Sequence, residues 1–326
     1  MQEIVEQIFN IQSEEQFEST ALRIFHLQAN ENPVYKSFLN FLRVDSNHVK
    51  TISDIPFLPI SFFKTHKVLL NGMHEKLIFR SSGTTGALTS NHLVAEPEVY
   101  LKSFLLGFRN AYGNPEDFII LALLPGYLER GDSSLVYMVN HLINETKSDV
   151  SGFYLQNHQA LYEALGLAAQ SGRKILLIGV THALLKFARN YSFSHENLIV
   201  METGGMKGQG PEYIREEVHE MLRKSFGTPH IHSEYGMTEL LSQAYSFGDG
   251  IFVPSSTMRI MIRDTHDPRY FLKHGQTGAI NVIDLANIYS CSFIETQDLG
   301  KLHGVNFEVL GRFDNADVRG CNLMAN

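Results

Sequence analysis

The chain has 326 residues, 44% of them hydrophobic and 19% charged, which suits one large or two ordinary globular domains and excludes a disordered tail or a disulfide-stapled miniprotein. Lys and Arg number 27 against 35 Asp and Glu, a formal net charge of -8, so overall charge gives no reason to bind nucleic acid and the expected partner is a small molecule or another protein. Its two cysteines, Cys291 and Cys321, are too few for a secreted disulfide framework and fit a reducing cytoplasm.

The first ten residues carry acidic side chains before any apolar run and lack the features of a signal peptide, so they read as mature cytosolic sequence. Up to about Arg43 the pattern is helical. Ser13 and Gln16 fit a capping box, and Phe17, Ala21, Ile24 and Phe25 recur at helical spacing, as in a helical lid or layer. In residues 55–64 two prolines and several aromatics predict an extended segment packed on a core. Residues 79–91 turn polar, small and glycine-bearing, after which Pro97 opens a helix with Tyr100, Phe104, Leu105 and Phe108 on one face, ending at Gly113. Apolar runs at 118–124, 174–180 and 198–202 then alternate with helical stretches at 159–169 and 211–226, the pattern of crossover units on a largely parallel sheet. These runs are far shorter than the roughly 20 residues of a membrane helix. Beyond Gly250 Met258, Ile260 and Ile262 alternate with Arg259, Met261 and Arg263, and short strands to Leu310 predict a small, mainly β subdomain. No internal repeat or linker divides the chain, which reads as one composite α/β sandwich.

The sharpest local motif is Ser81-Ser82-Gly83-Thr84-Thr85-Gly86, where two glycines permit tight turns and hydroxyls and backbone amides offer donors to phosphate oxygens. It lacks the Gly-Lys-Ser/Thr ending of a Walker loop, and no Gly-x-Gly-x-x-Gly fingerprint follows a strand nearby. Taken alone it would equally suit an ordinary Ser/Thr/Gly loop. Downstream, after a strand-like run at 229–232, comes Ser233-Glu234-Tyr235-Gly236-Met237-Thr238-Glu239, which combines a ring able to cover a base, a glycine permitting close approach, a hydroxyl for a phosphate and a carboxylate able to hold Mg²⁺. His182 follows a predicted strand where α/β ligand sites lie, and is a candidate for the substrate pocket. His230 and His232 have no third ligand at a defined spacing, so no zinc is assigned. Ile214, Val218, Met221 and Leu222 form a core stripe, and Cys291 reads as a small buried hydrophobe.

Together these stretches resemble the adenylate-forming enzymes, the superfamily of acyl-CoA synthetases, nonribosomal adenylation domains and luciferase. Two later stretches fit the same pattern in order: Thr296-Gln297-Asp298-Leu299-Gly300 is similar to the ribose-binding Asp motif, and Gly311-Arg312-Phe313-Asp314-Asn315 to the Gly-Arg segment that ends the large domain. The resemblance implies an α/β fold of two mixed or parallel sheets flanked by helices, with residues 1–310 as the adenylation domain, 1–45 its helical region, and 311–326 a hinge-like segment and tail. It implies that Ser81, Ser82, Gly83, Thr84, Thr85 and Gly86 embrace the ATP phosphates and that Tyr235, within Glu234-Tyr235-Gly236, stacks on adenine. Thr238 would contact the α-phosphate, Glu239 would ligate Mg²⁺, Asp298 would bind ribose hydroxyls, and Arg312 would approach the ribose or the phosphate. Gly204 and Gly205 would lie beside the adenine.

Two departures stand out: the loop continues Ala87-Leu88-Thr89-Ser90 without the usual Pro-Lys-Gly, and the chain stops about fifteen residues after Gly311, so the C-terminal domain bearing a catalytic lysine is expected to be absent. On both counts the chain resembles the acyl-protein synthetases of the bacterial bioluminescence fatty-acid reductase complex, the LuxE family. That likeness implies ATP-dependent activation of a carboxylic acid, a fatty acid in that branch, followed by acyl transfer to a cysteine near the C-terminus and then to a reductase. Cys321 stands where such a cysteine would sit, and neighbouring Arg319 would favour its thiolate. Coenzyme A or a carrier protein is the alternative acceptor. An acyl-CoA or aryl-CoA ligase, or a non-catalytic nucleotide-binding module, is the alternative function.

Overall fold

The computed structural model describes residues 1–81, 88–125, 127–204 and 213–312. The chain opens with helices α1 (Gln2–Ile8), α2 (Glu14–Glu31) and α3 (Pro33–Phe41). Ser13 Oγ accepts the Gln16 N–H at 3.2 Å, as the sequence predicts, but the Gln16 side chain returns to the Gln12 N–H and not to that of Ser13, so the capping box is shifted by one residue. Phe17, Ala21, Ile24 and Phe25 are buried, and Gln28, fully buried, donates to the carbonyls of Asn287 and Ile288 and accepts the Ser292 N–H. The helices therefore form a fixed layer and not a lid.

In residues 55–64 the expected extended backbone is confined to β1 (Leu58–Pro59), which pairs in parallel with a later strand; Phe62–Thr65 then turns into α4. Both prolines precede that turn, so neither blocks it. The hairpin β2 (Leu77–Arg80) and β3 (Asn91–Val94) encloses the polar loop, and α5 (Pro97–Tyr112) runs from Pro97 to a Gly113 cap as predicted.

An alternating stretch follows: β4 (Phe118–Leu123), α6 (Tyr127–Arg130), α7 (Ser134–Glu145), β5 (Gly152–Phe153), α8 (His158–Ala169), β6 (Lys174–Gly179), α9 (Thr181–Ala188), β7 (Leu198–Glu202), α10 (Arg215–Phe226) and β8 (Ile231–Tyr235). Strands β5, β4, β6, β7 and β8 lie side by side in parallel. Their near-continuous apolar runs are what a sheet covered on both faces requires, and β4 is buried at every position. Phe104 and Tyr137 pack on one face, Leu161, Phe187 and Phe226 on the other. The core stripe on α10 holds for Val218 and Leu222, but Ile214, just before the helix, is 63% exposed.

From β8 the sheet continues through antiparallel β9 (Ala244–Ser246), β10 (Ile251–Pro254), β11 (Met258–Arg263), β12 (Thr277–Asp284), β13 (Phe293–His303) and β14 (Asn306–Arg312). The order is β11-β12-β13-β14-β10-β9-β8-β7-β6-β4-β5, with β1 on β13. The predicted β region is thus joined edge to edge to the parallel strands, and Gly311 and Arg312 close β14 opposite Leu299 and Asp298. Phe25, Tyr35 and Phe293 meet in ring contacts of 6.0–6.2 Å where the N-terminal layer covers this half. No helix among the described residues is long and apolar enough to cross a membrane.

Candidate functional site

The carboxyl ends of β6, β7 and β8 form a rim, the place where open α/β sheets bind ligands. His182 lies on it in the first turn of α9, half-buried. After β7 the chain turns at Gly204, whose φ of +73° favours glycine. Glu202 pins that turn: its Oε2 accepts the Gly204 N–H at 2.6 Å and the Thr181 hydroxyl at 3.0 Å, and the Thr181 N–H donates to the Gly204 carbonyl. Burial pushes this carboxyl up, but His219, the Ser233 hydroxyl and the Gly204 amide outweigh it and hold the pKa at about 2. His219 Nε2 stands 3.8 Å from Glu202 Oε1.

Tyr235 ends β8 with its ring edge-on to Phe252 and Phe307, and its hydroxyl donates to Asp298 Oδ2 at 2.9 Å. Arg312 Nε donates to Asp298 Oδ1 at 3.1 Å, and the Asp298 N–H donates to Thr296 Oγ1. Burial and the Asp298 charge raise the Tyr235 phenol well above its ordinary value. Each Asp298 oxygen keeps acceptor capacity for a further hydroxyl, while the Arg312 side chain is largely exposed.

Glu239 is 5% exposed, and burial raises its carboxyl above the usual range although the Ser90 hydroxyl and the charges of Arg312 and Lys64 act in the other direction. Ser90 also closes the polar loop at its foot: its N–H donates to Ser81 Oγ at 2.9 Å, and the Ser81 N–H donates to its carbonyl at 3.2 Å. His92, on β3, ties the hairpin to the second motif, with Nδ1 2.8 Å from the Thr238 carbonyl and Nε2 2.8 Å from Asn287 Oδ1. Asn287 Nδ2 donates to the Glu239 carbonyl at 2.6 Å. Just beyond, buried Asp284 accepts the Leu241, Ser242 and Ala286 N–H groups and the Ser242 hydroxyl.

The foot of the Ser81 loop, Thr238 and Glu239, and the Tyr235–Asp298–Arg312 chain are thus brought to one rim, with Gly204 and His182 along it. Glu234 points to the other face of β8, toward Gly236. Ser82, Gly83, Thr84, Thr85, Gly86, Gly205 and Cys321 lie outside the described residues. Cys291 is fully buried, its thiol pushed up by burial to about 12, as suits a core residue. Sequence reasoning missed Glu202, His92, Asp284 and Asn287 as site-supporting residues and Lys64 as a nearby cation. A polar residue closing an apolar run, as Glu202 and Asp284 do, was the available signal.

No family model matches the chain. The long-chain-fatty-acid–luciferin-component ligase of Vibrio harveyi is 22% identical over 346 aligned residues, covering 97% of this chain and 89% of that protein. Among solved structures, 2-hydroxyisobutyryl-CoA ligase aligns with 93% of this chain and 69% of its own at a TM-score of 0.67 and 12% identity. MatB of Rhodopseudomonas palustris aligns with 73% of this chain at a TM-score of 0.53 and 17% identity, and a long-chain-fatty-acid-CoA ligase of Archaeoglobus fulgidus with 76% at 0.53 and 15%. The chain spans about half the length of the latter two. The fold is that of the adenylate-forming enzymes, and the similarity to the luciferin-component ligase runs along nearly the whole chain.

Proposed function

We propose that this protein activates a carboxylic acid with ATP, releasing pyrophosphate, and passes the acyl group to a thiol. The observation that carries this reading is the convergence of the Ser81 loop foot, Thr238–Glu239 and Tyr235–Asp298–Arg312 on one rim of an adenylate-forming fold. In the reaction a carboxylate oxygen of the acid bonds to the α-phosphorus, the bond to the bridging oxygen breaks, and pyrophosphate leaves with the electron pair. Asp298 accepts ribose hydroxyls, Tyr235 and Arg312 hold its carboxylate in place, and Tyr235 with Gly204 and Gly205 borders the base. Thr238, its carbonyl anchored on His92, orients the α-phosphate, and Ser81 through Gly86 cradle the others. His182 borders the acid.

Glu239 fits a Mg²⁺ site, because it is a buried carboxyl raised by burial, which a cation would relieve, and Mg²⁺ commonly takes one or two carboxylates with phosphate oxygens completing its shell. Bound there, Mg²⁺ supplies neutralisation of phosphate charge. Glu239→Gln is expected to reduce acid-dependent ATP–pyrophosphate exchange at least about a hundredfold while the thermal melt stays close to that of the parent. Undiminished exchange would remove Glu239 from the mechanism.

The acyl acceptor has two readings. Likeness to a ligase named for a luciferin component favours a protein thiol, with Cys321 as the candidate and a reductase or carrier protein as the onward partner. The fold shared with CoA ligases, one of them solved with an acyl-AMP and CoA, favours coenzyme A. Cys321→Ser that keeps exchange but loses covalent acyl label supports the first; turnover that requires coenzyme A supports the second.

A further inference from the structure

A cavity of about 170 Å³ lies between β1, the end of β11 and the middle of β13. It originates in the strand pairing. Along β12 and β13, Asn281 stands opposite Glu295 and Ala279 opposite Leu299, so β13 takes four steps where β12 takes two, and the surplus residues form a bulge. The backbone freed there is satisfied locally: the Thr296 hydroxyl donates to the Ile280 carbonyl at 2.7 Å, and Arg263 Nη2 donates to the Thr296 carbonyl at 3.2 Å. Arg263 spans the gap. Its Nε donates to Asn281 Oδ1 at 3.0 Å and its Nη1 to the Asp264 carbonyl at 3.3 Å, while Nη2 lies 3.1 Å from Glu295 Oε1.

Arg263 and Glu295 both line the cavity, but they differ in what they offer it. The Arg263 side chain is 4% exposed and committed to these fixed acceptors, whereas that of Glu295 is 24% exposed and its second oxygen keeps acceptor capacity. Arg263 also feels the charge of Asp264, so two carboxylates stand against one guanidinium and leave one negative charge over. Burial raises the Glu295 carboxyl above its ordinary range, a cost that a second cation would relieve. The Ser61 hydroxyl and the Gln297 amide border the same space, and Pro59, Ile60 and Pro268 give it apolar walls.

These walls do not fit a bare divalent ion, because among the described residues no three His, Cys, Asp or Glu side chains are grouped to hold a metal. An ammonium group asks for less, since one carboxylate and two neutral oxygens meet its three donors. A methylene stem behind it packs on proline and isoleucine as lysine stems pack on apolar surface. The volume is several times the roughly 30 Å³ of a water molecule, enough to admit a short stem. We infer that this cavity binds a small aliphatic primary amine, with its ammonium group on Glu295 and its stem between Pro59, Ile60 and Pro268. None of the lining residues belongs to the proposed acid-activating machinery, so the inference does not rest on that reading.

The test is calorimetric titration of the intact protein with 1-butylamine and 1,4-diaminobutane at neutral pH and constant ionic strength. At least one of the amines is expected to saturate a single site with a Kd of about 1 mM or tighter, and uncharged 1-butanol to bind at least about tenfold more weakly. Glu295→Gln should weaken the amine at least about tenfold. That change also strips Arg263 of a partner, so Gln297→Leu, at an exposed side chain, keeps the test decisive should the first variant fail to fold. It is expected to leave the thermal melt unchanged and to weaken the amine about threefold or more. Absence of a saturable site for both amines, butanol binding as tightly, or an affinity unmoved in every variant that folds would overturn the assignment.

Discussion

His92 shows how a residue without direct substrate chemistry can govern a site. Its ring spans the Thr238 carbonyl and Asn287, and burial lowers its pKa to about 4, so it stays neutral across the physiological range. His92→Ala is expected to cost about 1–3 kcal/mol in urea denaturation and to impair exchange through a misplaced Thr238. A variant of unchanged stability and activity would show the bridge to be idle. Asp298→Asn tests the neighbouring chain: the Tyr235 hydroxyl and Arg312 lose their charged acceptor, and ATP affinity in calorimetry should fall about tenfold or more. Equal affinity would detach Asp298 from the nucleotide. Tyr235, Thr238, Glu239, Asp298 and Arg312 could be proposed from the sequence because their motifs are local in it. His92, Asn287 and Glu202 were not, because each acts across the fold, and a single histidine in a short strand carries no periodic signal.

Strands β4, β6 and β7 and helix α5 were legible because continuous apolar runs and a Pro-to-Gly frame dictate them without help from distant residues. Helix α4 was not, since its four residues are held by packing, with Phe63 buried, and lack a pattern of their own. Nor did alternation in β11 reveal that the C-terminal strands extend the parallel sheet, because partner choice is decided by edges and not by the strand sequence. Gly300 shows how that pairing reaches the site. A Cβ there would lie 2.5 Å from the Glu308 carbonyl on β14, beside the irregularity at Leu299/Gly300 that sets Asp298 opposite Arg312. Gly300→Ala is expected to cost about 1–3 kcal/mol and to weaken nucleotide binding with it. Loss of stability without loss of affinity would separate the strand pairing from the site.

For the molecule as a whole, the ionisable groups predict a dome of stability against pH. His92 and His232, both lowered from 6.5 to about 4 by burial, contribute stability that is complete above the unfolded value and is lost as pH falls toward 4. Glu202, at about 2, adds a further loss below 4.5. Glu234, raised from 4.5 to about 8, and Asp284, raised from 3.8 to about 6, act oppositely: their contribution is full at low pH and is lost as pH rises through those ranges. The urea midpoint should therefore fall on acidification below about pH 5 and again between about pH 6.5 and 8, with the alkaline fall reduced in Glu234→Gln. A midpoint that climbs steadily to pH 8 would contradict these assignments. The most direct test of the central claim is ATP–pyrophosphate exchange by the intact protein with Mg²⁺ across fatty, hydroxylated and aromatic acids. Exchange is expected to depend on the acid and to disappear in Glu239→Gln; nucleotide binding with no exchange for any acid would contradict a role in acid activation.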